Sequence, residues 1–116
     1  MELGSDINMA KDNGVTPLLI AVHQGKEAVV RALIEAGADV NQATNDGVTP
    51  LYIAARKGHE VIVWALMELG ADVNKAIDNG VTPLLIAVHQ GKEAVVRALI
   101  EAGAADIMVT GLGFSG

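Results

Sequence analysis

Apolar residues along this chain fall in short bursts at helical spacing, divided by glycines. After Pro17, Leu18 and Ala21 share one side of a short segment that a glycine, Gly25, breaks. In the next segment Val29, Val30, Leu33 and Ile34 recur at i, i+1, i+4 and i+5 and form a single stripe. The spacing predicts a short helix ending at Gly25 and a second over residues 27–36, closed by Gly37. The same pair is predicted to run to Gly58 and over 60–69, closed by Gly70, and again to Gly91 and over 93–102, closed by Gly103. Helices shorter than about 12 residues are marginal in water on their own, so packing between neighbouring segments must stabilise them. Ala21, Ala54 and Ala87 are small enough for adjacent short helices to approach closely.

The polar residues between the bursts are punctuation. Asp12-Asn13-Gly14, Asn45-Asp46-Gly47 and Asp78-Asn79-Gly80 are hairpin signals, supplying the positive-φ residues a tight turn needs. Thr-Pro follows at 16–17, 49–50 and 82–83. Threonine is an N-cap that accepts from a free backbone N–H, and proline at the next position has no N–H to leave unpaired. The stretch Ala38-Asp39-Val40-Asn41 leads out of one unit into the next hairpin.

The figure repeats every 33 residues. Residues 12–38 and 78–104 are identical letter for letter, and a diverged copy occupies 45–71. Units of this length at a fixed period stack into a solenoid, each packing on its neighbours alone, so function is to be sought on surfaces. The perfect duplication fits a recent gene duplication or a designed sequence equally.

Turn, Thr-Pro-Leu, short helix, glycine, longer helix and Gly-Ala-Asp-Val-Asn, in phase three times, strongly resemble the ankyrin repeat. The resemblance implies an all-α solenoid of helix-turn-helix units joined by hairpin loops. Its boundaries would be a partial repeat at 1–11, repeats at 12–44, 45–77 and 78–106, and a flexible glycine-rich tail at 107–116. One position departs from the family pattern Thr-Pro-Leu-His: the histidine is replaced by Leu19, Tyr52 and Leu85. In the family that histidine ties neighbouring loops, so its loss predicts looser hairpins that rely on apolar contact. The resemblance also implies a non-enzymatic module that binds a protein partner in a concave groove. Carried over by position, the groove residues are Asp12, Asn13, Val15, Asn45, Asp46, Val48, Asp78, Asn79 and Val81 at the hairpins. His23, Gln24, Arg56, Lys57, His89 and Gln90 come from the short helices. Arg56 and Lys57 place two cations mid-groove, where a carboxylate of a partner would gain charge-assisted hydrogen bonds; the bland alternative is an ordinary solvated pair.

A second surface differs between copies. The long helix carries Glu27, Arg31 and Glu35 in one unit and Glu93, Arg97 and Glu101 in another, spaced for weak i, i+4 ion pairs. In the middle unit the series is Glu60, Trp64 and Glu68, and Val61 replaces an alanine. Val61 and Trp64 share a face expected to point outward, either as a tryptophan lying flat on its own helix or as a homo-oligomer contact. No unit with a polar outer face is visible at either end of the array, which makes end-to-end assembly a further alternative.

Composition narrows the chemistry. The net charge is −6 with acidic residues scattered along the chain, which argues against nucleic acid or an anionic membrane as partner. Cysteine is absent, and neither a secretory leader nor an apolar run of membrane-spanning length is visible, which fits an intracellular protein. His23 and His89 lie 66 residues apart, two layers of the stack, and His59 opens a helix, so no metal set is spelled out. No cofactor motif or catalytic constellation stands out.

Overall fold

The computed structural model describes residues 7–103. Six helices lie wholly within them: α1 (Pro17–His23), α2 (Glu27–Glu35), α3 (Pro50–Lys57), α4 (Glu60–Glu68), α5 (Pro83–His89) and α6 (Glu93–Glu101). No strand occurs among the described residues. The short helices α1, α3 and α5 pack side by side in one layer, and α2, α4 and α6 form a second layer behind them. The expected flexible tail at 107–116 lies outside the described residues.

Local chemistry sets the helix ends. Thr16, Thr49 and Thr82 are extended N-caps whose hydroxyls accept from the N–H of Leu19, Tyr52 and Leu85 at 3.1–3.2 Å, with proline at the next position. Helices α2 and α4 close in Schellman geometry: Ala38 N–H donates to the Leu33 carbonyl and Ala71 N–H to the Leu66 carbonyl, both at 2.9 Å, while Gly37 and Gly70, at φ 110° and 106°, make the left-handed step. Each long helix ends one residue earlier than expected, with Ala36, Leu69 and Ala102 as caps. In the hairpins only the glycines have positive φ, about 90°, so Asn13, Asp46 and Asn79 are not left-handed as a primed turn would demand. The Gly14 N–H instead closes on the Lys11 carbonyl at 2.8 Å and Lys11 N–H on Val15 at 2.9 Å, the arrangement of an ordinary turn followed by a glycine bulge.

The core is thin and aliphatic. Leu18, Val22, Val30, Leu51, Val63, Leu66, Val95 and Leu99 are buried, with Ala21, Ala54 and Ala87 at the close approach of the inner helices. One expectation is corrected here. The stripe Val29, Val30, Leu33 and Ile34 is not a single buried face: Val30 is buried whereas Val29 is 48% exposed. In the identical helix α6 the order reverses, with Val95 buried and Val96 only half-buried. A helix in a stack has a neighbour on each side, so its apolar residues split into one face directed back along the chain and one directed forward.

Neighbouring units are joined by main chain as well as by apolar contact. Asn45 N–H donates to the Asn13 carbonyl at 3.1 Å, and Asp78 N–H to the Asp46 carbonyl at 3.0 Å. The looser hairpins expected from the missing histidine are therefore not what the structure shows, because the tie runs through backbone. A side-chain ladder adds to it. Asn8 Nδ2 donates to the Gly37 carbonyl and its Oδ1 accepts from Asp39 N–H; Asn41 repeats both contacts on Gly70 and Asp72. Each asparagine thereby satisfies polar groups just beyond the end of a long helix.

Candidate functional site: the hairpin and short-helix face

The hairpins and the short helices form one side of the stack. Val15 and His23 come together there with Leu19, Ile20, Thr44 and Ile53 around a mostly apolar pocket of about 160 Å³. A wider pocket of about 470 Å³ lies in the third unit, lined by Tyr52, Asn79, Val81, Leu85, Ile86 and His89. The two are related by the repeat, with Val15, Leu19, Ile20 and His23 equivalent to Val81, Leu85, Ile86 and His89. The first is narrower because Thr44 and Ile53 of the following unit close it.

The sequence-derived groove residues divide by role. Val15, Val48 and Val81 are half-buried and supply apolar floor. Asp12, Asn13, Asn45, Asp46, Asp78 and Asn79 are exposed at the hairpins. Several of these side chains are already engaged: Asn13 Oδ1 and Asn79 Oδ1 accept from Val15 and Val81 N–H, and Asn45 Nδ2 donates to the Asp12 carbonyl at 3.1 Å. His23, Gln24, Arg56, Lys57, His89 and Gln90 are exposed at the C-terminal ends of the short helices. Arg56 and Lys57 sit in the last turn of α3, where cations oppose the negative end of the helix dipole. Neither enters an ion pair among the described residues, so both remain available to an outside anion. Gln24 turns instead toward an apolar groove on the end of the stack, beside Pro17, Ile20 and Val29. Gln90 lies 3.3 Å from the His89 ring.

Sequence reasoning passed over Leu19, Tyr52, Leu85, Ile20 and Ile86 as pocket residues. A signal was present: Leu19, Tyr52 and Leu85 are the positions where the family histidine is replaced, and an apolar side chain there turns a polar tie into pocket wall.

On the opposite side, Val61 (54% exposed) and Trp64 (36% exposed) lie on the outer surface of α4. The places equivalent to Trp64 hold Arg31 in α2 and Arg97 in α6, which pair with Glu27 at 3.5 Å and Glu93 at 2.8 Å, and those equivalent to Val61 hold alanine. The hydrogen bond from Arg97 to the Glu93 carboxylate, reinforced by its charge, holds the Arg97 guanidinium above its usual range. Both groups are in water, so the contact is surface decoration. His59 precedes α4 and lays its ring over Gly25, where an added Cβ would stand 3.0 Å from the ring. Its Nε2 is buried without a hydrogen-bond partner among the described residues.

Among the described residues no three His, Asp or Glu side chains gather into a metal-binding group, and no helix is long and apolar enough to cross a membrane. The family model described as ankyrin repeats (3 copies) matches residues 1–77, and that of a single ankyrin repeat matches residues 79–111. A search of the curated proteins returned no match. Proteins built from such repeats are generally protein–protein interaction modules and typically not enzymes. The repeated helix pairs, the glycine-bulged hairpins and the two family matches lead to one conclusion: this chain belongs to the ankyrin repeat family.

Proposed function

We propose that the chain is a non-enzymatic scaffold that holds a protein partner on its concave face, with Arg56 and Lys57 engaging an acidic group of that partner. The observation that supports this most is the pairing of apolar pockets at Leu19 and Leu85 with two unpaired cations on the helix between them. Apolar side chains of the partner would fill the pockets, and a carboxylate would add charge-assisted hydrogen bonds at the centre. The repeat boundaries at 12, 45 and 78 belong to the same reading, since they place each pocket at the junction of a hairpin and its short helix.

The test is a double charge reversal. A partner recovered by pull-down would bind the Arg56→Glu, Lys57→Glu variant about ten- to a hundred-fold more weakly, the loss expected for hydrogen bonds to charged groups. The circular dichroism melt of that variant should stay cooperative and shift down only slightly, because both residues are exposed but the new carboxylates lie at the negative end of the α3 dipole. Unchanged affinity would place the partner elsewhere.

A second reading is self-association through the outer surface of α4, favoured by the exposure of Val61 and Trp64 where the other units carry an alanine and an ion-paired arginine. Two copies meeting there would form an isologous dimer, which Trp64→Arg would convert to monomer.

A further inference from the structure

The middle unit has a neighbour on each side, so what it exposes owes nothing to the ends of the array. It departs from the flanking copies in its hairpin. In the first hairpin Asn13 Oδ1 accepts from Val15 N–H at 3.2 Å, and in the third Asn79 Oδ1 accepts from Val81 N–H at 3.1 Å. The middle hairpin has Asp46 at that position, but its carboxylate does not serve the turn. Thr44 serves it instead: its hydroxyl accepts from Val48 N–H at 3.1 Å and from Asp46 N–H at 3.3 Å. Lys11 and Ile77, the equivalents of Thr44, have no hydroxyl, so their hairpins depend on the asparagine. Asp46 is exposed, and among the described residues its carboxylate enters neither a hydrogen bond nor an ion pair.

Charge is distributed to match. The first seam between hairpins joins Asn13 to Asn45, both neutral, and the second joins Asp46 to Asp78, both acidic. Asp78 leans on the middle hairpin, where a Cβ added to Gly47 would stand 2.8 Å from its Oδ1. At the far end of α3 lie Arg56 and Lys57, exposed and unpaired, where α1 and α5 carry His and Gln. Helix α3 has 8 residues and so spans about 12 Å, which keeps these cations from Asp46. The middle unit therefore shows a negative end and a positive end on one face, neither of them committed to the fold.

We infer that the partner is an extended peptide segment in which a basic residue meets Asp46 and Asp78 while an acidic residue, about three or four positions away, meets Arg56 and Lys57. This rests on the reading of the hairpin and short-helix face as the binding surface, and adds to it a second charge, a direction and a spacing. An extended chain advances about 3.3 Å per residue, so three or four positions cover the length of α3. A segment carrying carboxylates alone would bring like charge against Asp46 and Asp78, so the hairpin end selects against purely acidic partners. Thr44 acts as a positioning residue: by satisfying the turn it leaves the Asp46 carboxylate to the partner.

Random linear peptides displayed on phage, selected on the full chain and its variants, test the inference. Wild type should enrich peptides with Lys or Arg at a fixed interval from Asp or Glu. The net charge of −6 attracts basic peptides to any part of the molecule, so the interval and its dependence on Asp46 are the readouts. Asp46→Asn should lose the basic preference, keep the acidic one, and bind a peptide selected on wild type about ten-fold more weakly. Asp46→Lys should turn the basic preference into an acidic one. Arg56→Gln combined with Lys57→Gln should lose only the acidic preference, and Glu68→Gln, on the outer layer, should select as wild type does. Amide exchange at Val15 should quicken in Asn13→Ala, whereas Val48 should keep its rate in Asp46→Ala. An acidic preference without a basic one, or a basic preference that persists in Asp46→Asn, would overturn the inference while leaving the role of Arg56 and Lys57 intact. Quickened exchange at Val48 in Asp46→Ala would also overturn it, since the carboxylate would then belong to the turn. No enrichment on wild type would overturn both the inference and the reading beneath it.

Discussion

Leu19→Ala and Leu85→Ala are the same substitution in the same local sequence, so their unfolded chains are alike and the difference between them is tertiary. Removing three carbons from a buried leucine loses about 2.4 kcal/mol of transfer free energy at about 0.8 kcal/mol per carbon. A residual cavity at Leu19 raises this to about 3 kcal/mol. Leu85 is 55% exposed, so less than half of the transfer free energy is at stake, about 1 kcal/mol with no cavity. The expected gap is therefore about 2 kcal/mol. A weaker third unit would mimic this result, so the reverse pair is needed. Val95→Ala, at a buried site, should cost about 2 kcal/mol, and Val29→Ala about 0.8 kcal/mol. Urea unfolding followed by far-ultraviolet circular dichroism, at a concentration where the chain is monomeric, measures all four. The refuting result is an uncrossed order, in which both substitutions in one unit cost more than both in the other. That would mean that the stability of each unit, and not the neighbour it faces, decides the outcome.

Other perturbations follow from the seams. Gly14→Ala forces a Cβ to within 2.8 Å of the Asn45 backbone at φ +88°, so it should cost roughly 2–5 kcal/mol, whereas Gly80→Ala carries only the backbone strain, about 1–2 kcal/mol. Chemical denaturation compares the two, and equal losses would count against the packed hairpin seam. Asn41→Ala removes the bonds to Gly70 and Asp72 and should destabilise by about 1–2 kcal/mol, with faster amide exchange at Asp72. Thr49→Ala removes a buried N-cap and should cost about 1 kcal/mol in thermal unfolding. Glu93→Gln, on an exposed pair, should leave the thermal unfolding midpoint indistinguishable from wild type at any salt concentration.

Much of the fold was legible because its boundaries are chemical. Thr16-Pro17 and Gly37 start and stop helices through their own backbone and hydroxyl preferences, which no neighbour overrides. The partition of Val29 from Val30 was not legible. Helical periodicity reports that residues share a side of a helix, but a helix in a stack has two apolar sides, and a short burst merges them. The inter-hairpin ties were hidden for a different reason: they use the carbonyls of Asn13 and Asp46, and main-chain bonds leave no mark on residue choice. The Asn8 and Asn41 ladder did leave one, a recurrence at the repeat spacing, but it reads as linker until the carbonyl of Gly37 is seen beside it. Of the candidate site, the exposed polar residues were legible as turn and helix-end chemistry. The apolar wall formed by Leu19, Tyr52 and Leu85 required the neighbouring hairpin to be in place.

The backbone tie between hairpins separates what keeps the array upright from what it shows to the outside. Asn13 and Asp46 hold the next unit with the same atom, though their side chains differ in charge. Evolution or an engineer can accordingly rewrite those tips, residue by residue, while the rungs beneath them stay in place.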